Sequence, residues 1–406
     1  MIDIEKIRAD FPILQQQIQG KRLVYLDNSA TTQKPQHVID GIIEFYTSMN
    51  ANIHRSTYEL STQTSEAYEK VRETVRAFIH AKKTEEIVFT SGTTESINLV
   101  ADSYGQRFID KDDEIIITEM EHHSNIVPWQ LLCEKKNARL RILSINNDGT
   151  LDLQELHDLI NEKTKIISVT YVSNVLGKIN PVKDIIKTAH EHNIAVFIDG
   201  AQAVQRLSID VQNLDCDFFA FSGHKIYAET GVGVLYAKEK WLEQMPPYQS
   251  GGGMIKSVSF EKTEFAKPPL KFEAGTSNIS AVISLGHAIK YLNTIGIRQI
   301  QQHESNLTTY AYESLSNLKG VTIYGNAQQR TGVISFNIDG INHYDAVMIL
   351  DKMGITLRSG AHCAEPLMNH YHIKGCIRAS FALYNKREEV DQLVNGIKKV
   401  QEMCLK

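Results

Sequence analysis

The stretch CDFFAFSGHKIYAETGVGVLYAK, Cys216–Lys238, decides how the fold of this chain is predicted. An apolar run at Phe218–Phe221 stops at the tetrapeptide SGHK, and a second apolar run follows at Val232–Tyr236. Short apolar runs bounded by Gly and Ser are typical of buried strands. The lysine between them, Lys225, is either a solvated turn residue or a nucleophilic amine held in a pocket, and only the rest of the sequence separates these interpretations.

Outward from this stretch, short apolar runs alternate with amphipathic helical patterns over residues 70–240. This alternation predicts an α/β fold with a mainly parallel sheet covered on both faces, to which the run after Lys225 can add an antiparallel strand. In such sheets ligands bind beyond the carboxyl ends of the strands, so we expect the chemistry just after each run. The earlier runs are EIVFT at 86–90, DEIIIT at 113–118, ARLRILSI at 138–145, TKIISVTYV at 164–172 and IAVFIDG at 194–200.

The rest of the chain predicts a second, smaller domain. Residues 245–280 combine prolines with a triple glycine and are interpreted as a long irregular excursion. A long helical pattern follows, then GVISFNID, HYDAVMILDKMG, ITLRSG and a terminal helical segment, which together indicate an α+β arrangement. A length of 406 residues exceeds one ordinary core and agrees with two domains.

The composition argues against several classes of protein. The net charge is -5, and no basic run or tail indicates a nucleic-acid partner. No uncharged apolar segment approaches the roughly 18 residues of a membrane span, and the first residues lack the apolar core of a signal peptide. The cysteines are scattered, odd in number and form no C-x-x-C, which favours free thiols in a reducing, cytoplasmic setting. They are Cys133, Cys216, Cys363, Cys376 and Cys404.

Two strand ends carry groups suited to a phosphate and to a cationic ring. At TSGTTESINL a strand ends and a helix begins near Thr94, where free N–H groups and the helix dipole bind phosphate; a plain N-cap is the alternative. Asp199 ends an apolar strand and needs a cationic partner, which the protonated ring nitrogen of pyridoxal phosphate would supply. A buried Asp that caps the following segment is the alternative. Gln202, three residues later, would face the same pocket.

Two other strands are followed by His122, His123 and Asn174. A histidine there could stack on a flat ring, and an amide could donate a hydrogen bond to a phenolic oxygen. A loop or capping role is the alternative for each of the three.

The turn SGHK adds Ser222, His224 and Lys225. A lysine acts as a nucleophile only after losing its proton, which burial or a neighbouring cation promotes. Each group taken alone has an ordinary structural explanation. Because all of them follow successive strands in chain order, their convergence favours a Schiff-base lysine with an aldehyde cofactor.

The cluster LRSGAHCAEPLMNHYHIKGCIRASFALYN, residues 357–385, carries the last candidates. Cys363 stands beside His362 in a predicted loop, a setting that favours a thiolate. Arg358 and Arg378 flank it and could bind a substrate carboxylate. An ordinary loop cysteine is the main alternative. A zinc site of spacing C-x6-H-x-H-x3-C is a second one, but this is not one of the common structural patterns, and no metal is expected. Its ligands would be Cys363, His370, His372 and Cys376.

Together these motifs resemble the group II, SUF-type cysteine desulfurases, which are close to the selenocysteine lyases. Both belong to the fold-type I pyridoxal-phosphate enzymes related to class V aminotransferases. The resemblance implies a large domain at 21–292 with a mainly parallel seven-stranded sheet, and a smaller α+β domain from 1–20 and 293–406. The motifs run nearly end to end: DFPIL, YLDNSATTQKP, NIHRSTYELS, FTSGTTESIN, EHHSNIVPWQ, IDGAQAV, FSGHK, KFEAGTSN, RSGAHCAEPLM and CIRASFALYN.

The resemblance also implies a role for each candidate toward pyridoxal phosphate. Lys225 would bind the cofactor covalently, Asp199 would pair with the ring nitrogen, and His123 would stack on the ring. Gln202 and Asn174 would contact the phenolic oxygen. The phosphate would be held by Thr94, Ser222, His224 and, from the partner subunit of a homodimer, Thr276.

The implied reaction converts L-cysteine to L-alanine and leaves a persulfide on Cys363, supplying sulfur for iron–sulfur cluster assembly. Arg378, with Arg358 and Asn174 nearby, would bind the substrate carboxylate, and Lys225 would remove the α-proton. The short loop RSGAHCA is typical of enzymes that pass sulfur to a dedicated acceptor protein. A selenocysteine lyase, acting on L-selenocysteine, is the alternative and would share nearly every residue.

Two positions depart from the family pattern. Ala228-Glu229 stands where Gly-Pro usually follows the lysine, and Ala361 stands where histidine is frequent. Glycine and proline have backbone preferences that Ala and Glu do not share. The shape of the turn after Lys225 therefore does not follow from the family pattern.

Overall fold

The computed structural model of the chain describes residues 2–326 and 328–405. Its strands are β1 Gln17–Ile18, β2 Lys21–Arg22, β3 Val24–Tyr25, β4 Ile87–Thr90, β5 Glu114–Thr118, β6 Arg139–Leu143, β7 Thr164–Thr170, β8 Ala195–Asp199, β9 Phe218–Ser222, β10 Gly233–Ala237, β11 Ile255–Val258, β12 Thr263–Phe265, β13 Val321–Ile323, β14 Val333–Ile338, β15 Ile355–Thr356, β16 Arg358–Gly360 and β17 Cys376–Ser380. Its α-helices are α1 Ile4–Ala9, α2 Gln36–Glu44, α3 Glu59–Phe78, α4 Thr93–Phe108, α5 Val127–Lys136, α6 Leu153–Leu159, α7 Val182–Glu191, α8 Val211–Leu214, α9 Glu239–Gln244, α10 Ile279–Ile295, α11 Ile297–Ser316, α12 His343–Asp351, α13 Glu365–His370 and α14 Arg387–Cys404.

The central sheet has seven strands in the order β4-β10-β9-β8-β7-β5-β6. The run from β9 to β6 is parallel throughout, whereas β10 lies antiparallel between β4 and β9. The predicted mainly parallel sheet and the antiparallel strand after Lys225 are both confirmed. Because the parallel strands end at the same edge, the loops that follow β5, β7, β8 and β9 gather there.

Strand β9 shows why these strands are apolar at every position. Phe219 and Phe221 pack into the core covered by α3, α7 and α10, while Phe218 and Ala220 pack into the core covered by α4 and α5. Successive side chains of a strand point to opposite faces, so a sheet covered on both faces buries all of them. Each fully buried phenylalanine contributes roughly 1.5–3 kcal/mol relative to an exposed one.

The C-terminal part has its own antiparallel sheet, ordered β13-β14-β17-β16, and its own core with α11, α12 and α14. Val24 and Leu26 pack into this core because β3 pairs with β15, whereas Ile7 and Phe11 pack into the core of the large sheet. The division into a large domain at 21–292 and a small domain from the two flanking segments remains a proposal. Val24 and Leu26 of the large domain pack into the small core, and Ile7 and Phe11 of the small domain pack into the large one.

The segment 245–280 is more ordered than its composition predicts. It contains the β-hairpin β11–β12, and Phe260 between the two strands is fully exposed. The predicted irregular segment therefore contains a pair of hydrogen-bonded strands. No alternation of polar and apolar residues in the sequence indicates these strands. Among residues 2–326 and 328–405, no helix combines the length and apolar character that crossing a membrane requires.

Candidate active site

A cavity of about 410 Å³ opens at the carboxyl ends of the parallel strands. Its wall comes from the ends of β7, β8 and β9, the start of α4, and the strands β16 and β17 of the C-terminal sheet. His123 and Thr276 are not on this wall. The predicted residues that line it are Thr94, Asn174, Asp199, Gln202, Ser222, His224, Lys225, Arg358, Cys363 and Arg378.

Lys225 and Asp199 form the charged centre of this cavity. Lys225 closes the 3-10 turn Gly223–Lys225 directly after β9. Burial lowers the pKa of Lys225 to about 8, and the negative charge of Asp199 opposes that shift. Asp199 is 4% exposed, and its Oδ1 accepts a hydrogen bond from the Ala201 N–H at 2.9 Å. Burial raises the pKa of Asp199, whereas the Lys225 amine lowers it, so this carboxylate is suited to a cationic partner in the cavity.

The start of α4 forms a cradle of donors next to Lys225. The Thr93 N–H donates to Ser222 Oγ at 2.9 Å, and the two hydroxyl oxygens are 2.8 Å apart. Thr94 Oγ1 lies 2.8 Å from Ser124 Oγ. Hydroxyl groups at the N-terminus of a sixteen-residue helix, where the helix dipole favours negative charge, suit a phosphate.

The two neighbouring histidines face different surroundings. His122 lines the cavity, and its Nδ1 accepts the Ser124 N–H at 3.1 Å. Burial lowers the pKa of His122 to about 3, with nearby Lys225 adding to the effect, so its ring is neutral. The ring of His123 instead contacts the carboxylate of Glu365. The structure thus places His122 on the cavity wall and His123 away from it, because adjacent residues of this turn point in different directions.

Two arginines meet over one carboxylate at the cavity wall. Arg358 and Arg378 are paired across β16 and β17. Asp27 lies between them, 3.2 Å from Nη2 of Arg378 and 3.7 Å from Nε of Arg358. Arg378 Nη1 also donates to the Asn174 carbonyl at 3.0 Å, while its buried Nε has no hydrogen-bond partner within the described ranges. Two guanidinium groups sharing one carboxylate retain capacity for a second anion.

The loop carrying Cys363 is anchored through its backbone. His362 and Cys363 both have φ of 55°, in the left-handed region. Asn174 Nδ2 donates to the His362 carbonyl at 2.9 Å, and the His123 N–H donates to the Cys363 carbonyl at 2.8 Å. The thiol itself is exposed, so the loop fixes the backbone and leaves the sulfur accessible.

The expectation that His362 would favour a Cys363 thiolate is not met. Burial lowers the pKa of His362 to about 3, and its Nε2 is 3.0 Å from the Cys376 carbonyl. A neutral ring bonded to a carbonyl supplies no positive charge to the thiol.

Ala228, Glu229 and Ala361, which depart from the family pattern, do not line this cavity, and neither does Thr276. The Glu229 N–H donates to Ser284 Oγ at 3.0 Å, and Glu229 Oε2 accepts from the Ser280 hydroxyl at 3.5 Å, so the Glu229 side chain contacts α10 and does not line the cavity. Ala228 is fully buried beneath the lysine turn. Thr276 lines a second cavity of about 230 Å³ together with His54 and Arg55.

The residues of the zinc alternative have separate partners. His370 Nδ1 lies 3.1 Å from Glu119, and Cys376 is buried in strand β17. Within residues 2–326 and 328–405, no three His, Cys, Asp or Glu side chains are grouped so that they could hold a metal ion.

A buried amine, a strand-end carboxylate and a hydroxyl cradle at a helix start define an enzyme site for an aromatic aldehyde cofactor that bears a phosphate. The family described as aminotransferase class-V matches residues 24–393. The chain is 48% identical to a cysteine desulfurase of Escherichia coli over 404 residues, 99% of each chain. It is also 48% identical to a cysteine desulfurase of Shigella sonnei over 401 residues, 98% of each chain.

Solved structures agree with this relationship. The cysteine desulfurase CsdA of Escherichia coli matches with a TM-score of 0.93 and 37% identity over 100% of both chains. The apo cysteine desulfurase of Thermococcus onnurineus matches with a TM-score of 0.94 and 38% identity over 99% of both chains. The chain therefore belongs to the aminotransferase class-V family and, within it, to the cysteine desulfurases, whose cofactor is pyridoxal phosphate.

Two residues of this site are not indicated by the sequence. Asp27 lies within the motif YLDNSATT, yet nothing in that motif indicates the two arginines it would bind. Glu365 follows Cys363 closely but gains its role only by contacting His123. His122 is a candidate in the sequence beside His123, and only the direction of its ring distinguishes the two.

Proposed function

We propose that this chain is a pyridoxal-phosphate-dependent cysteine desulfurase that moves the sulfur of L-cysteine onto Cys363 and releases L-alanine. The observation that carries the proposal is that Cys363, Lys225 and Arg378 line one cavity. A nucleophilic sulfur, a buried amine and an anion-binding guanidinium are the three groups that this transfer needs from the protein.

The cofactor fits the residues present. Lys225 would hold its aldehyde carbon covalently, and Asp199 would accept the proton carried by its ring nitrogen in a hydrogen bond. His122 would cover one face of the ring, and Gln202 and Asn174 would lie on the side of the phenolic oxygen. The phosphate would be held by Thr94, Ser222 and His224. When bound, pyridoxal phosphate withdraws electrons from the substrate α-carbon and so eases loss of the α-proton.

The protein side of the reaction follows from the cavity wall. Arg378 would bind the substrate carboxylate with Arg358 beside it, which orients the α-carbon toward Lys225. Once the substrate amine has replaced Lys225 on the cofactor carbon, the freed Lys225 Nζ would take the α-proton. The Cys363 thiolate would attack the substrate sulfur, forming an S–S bond as the C–S bond breaks. The electron pair of the broken bond stays on the substrate β-carbon, and a proton completes the methyl group of alanine.

The finer assignments also belong to this proposal. The short loop around Cys363 supports a group II, SUF-type enzyme that passes its persulfide sulfur to a dedicated acceptor protein for iron–sulfur cluster assembly. Thr276 does not line the active-site cavity of its own chain, which supports a homodimer in which it reaches the partner's phosphate. Buried thiols at Cys133 and Cys216 support work in a reducing cytoplasm. The named relatives favour L-cysteine over L-selenocysteine as the substrate.

Alanine and sulfide release from L-cysteine tests the proposal, in the presence of a thiol reductant. Cys363→Ser should keep the visible absorbance of the bound cofactor and lose alanine formation by at least about 100-fold, because the sulfur has no acceptor. Lys225→Ala should lose both the covalently held cofactor and activity. Alanine formation that persists in Cys363→Ser would contradict the persulfide route, and a higher rate on L-selenocysteine that does not need Cys363 would indicate a lyase.

A further inference from the structure

Glu121 is a fully buried carboxylate to which the proposed mechanism gives no task. It lies between the end of β5 and the turn that carries His122. Burial raises the pKa of Glu121 to about 8, and the hydrogen bonds it accepts oppose that rise. Burial of a carboxyl group costs free energy unless hydrogen bonds compensate for the lost contact with water.

Three donors converge on this carboxylate. Its Oε1 accepts the Thr118 hydroxyl at 2.6 Å and the Thr170 N–H at 3.0 Å. Its Oε2 accepts from Asn125 Nδ2 at 2.7 Å. Thr118 ends β5, Thr170 ends β7, and Asn125 ends the 3-10 turn His123–Asn125. One side chain therefore connects two strand ends with the turn between them.

The direction of these hydrogen bonds is determined by a second layer of contacts. Asn125 Oδ1 accepts from Trp129 Nε1 at 2.9 Å and from the Ser168 hydroxyl at 2.6 Å. The Asn125 amide therefore cannot rotate its oxygen toward Glu121 without losing both bonds. The Thr170 N–H cannot accept at all. Oε1 thus faces the Thr170 N–H and Oε2 faces the Asn125 amide, neither of which can accept, so an amide at position 121 would place a donor against a donor.

This carboxylate also relates two parts of the cofactor site. Thr170 is the neighbour of Asp199 across β7 and β8, and the Asp199 charge adds to the raised pKa of Glu121. His122 lies between Glu121 and the turn that Asn125 closes. The hydrogen bonds of Glu121 therefore set the position of the His122 turn against the strand end that presents Asp199.

We propose that Glu121 is a positioning residue that holds the His122 ring at a set distance from Asp199, and that it acts through the donors of Thr170 and Asn125. The inference rests on the proposed function, because the cofactor ring would occupy the space between His122 and Asp199. A loosened turn would let the ring tilt without removing any group that touches it.

Reversing the hydrogen-bond polarity tests the inference. Glu121→Gln puts the introduced amide against the Asn125 amide, and Asn125→Asp puts two carboxylates face to face. In the double variant E121Q/N125D, the side-chain oxygen of the introduced glutamine would accept from Thr118 and Thr170 while its amide donates to the introduced aspartate. That aspartate would still accept from Trp129 and Ser168. Every bond is therefore restored, only the bond between positions 121 and 125 has its direction exchanged, and the total charge is kept.

The readouts are the visible circular dichroism of the bound cofactor and alanine formation, measured on holoenzyme. We expect E121Q and N125D to change the visible dichroism and to slow alanine formation by about tenfold or more. The double variant should return both to within about twofold of the wild type. Wild-type dichroism and rate in E121Q, or a double variant no better than the single variants, would overturn the inference.

A milder variant keeps the test decisive if the single variants fail to fold. Thr118→Val removes one donor and should give a smaller change of the same kind. Ser103→Ala is the matched control, because Ser103 Oγ is buried on α4 and has no hydrogen-bond partner in the described part of the chain. Equal dichroism changes in T118V and S103A would contradict a specific role. If the proposed function itself fails, the wild type forms no alanine, which is a different outcome.

Discussion

At the residue scale, Lys225 is subject to two opposing influences. Removal from water disfavours its charged form, while Asp199 favours it, and the first effect is larger. The result is an amine whose pKa of about 8 lies below that of an exposed lysine near 10.4. The lysine turn can therefore hold a reactive amine near neutral pH without a dedicated general base.

The first prediction concerns the pH dependence of cofactor attachment. The unprotonated amine is the nucleophile, so the fraction of reactive Lys225 rises with pH and levels off above about pH 8. The rate at which the cofactor-free chain gains covalent pyridoxal phosphate, followed by absorbance, should show this midpoint after correction for the cofactor's own titration. A rate that keeps rising to about pH 10 would indicate an unperturbed lysine.

At the element scale, the strands that build the site could be predicted because each is an uninterrupted apolar run. A strand that is buried on both faces of a sheet needs apolar residues at nearly every position. The apolar runs that end at Asp199 and Ser222 match β8 and β9 closely. The hairpin β11–β12 could not be predicted in this way, because its exposed strands carry no alternating pattern. The ring directions of His122 and His123 also depend on turn geometry that residue types do not specify.

Strand β10 supports the helix start that forms the cradle for the phosphate, and a second prediction follows. A Cβ on Gly233 would lie 2.4 Å from the Gly92 Cα, and backbone atoms cannot yield as a flexible side chain can. Gly233→Ala should lower the free energy of unfolding by roughly 1–3 kcal/mol and speed loss of the cofactor on dialysis. Gly252→Ala is the control, because its Cβ would meet nothing within 4 Å. Equal cofactor retention in both variants would show that β10 does not support the cradle.

At the scale of the whole molecule, the large sheet and the C-terminal part meet around a buried ion pair. Arg206 Nε lies 3.3 Å from Glu304 Oε2 on α11, and both side chains are fully buried. Arg206 also donates to the carbonyl and side-chain oxygens of Gln202 and to the Phe381 carbonyl. Burial lowers the pKa of Arg206 and raises that of Glu304 to about 8, while each partner opposes the shift of the other. The Arg206 guanidinium group therefore connects Gln202 on the cavity wall with Glu304 and Phe381 of the C-terminal part.

Removal of only one member of this pair should be costly. Arg206→Met leaves Glu304 buried without its cation and should reduce the free energy of unfolding by about 3–5 kcal/mol. Arg206→Met combined with Glu304→Leu should recover most of that loss, since no charge is then left unpaired. Urea unfolding of the three proteins provides the measurement. A double variant as unstable as Arg206→Met would assign the cost to lost packing instead.

The sequence by itself determined the strands, the order of the groups that follow them and the family, because burial and cofactor chemistry restrict residue types locally and along the chain. It brought Lys225, Asp199 and the phosphate cradle to one site through the rule that parallel strands end together, whereas Cys363 was linked to that site only by the family resemblance. Only the tertiary structure decided that His122 faces the cavity and that Asp27 joins the two arginines. Those features arise from side-chain directions and from contacts between distant segments, and no local pattern of residues encodes them.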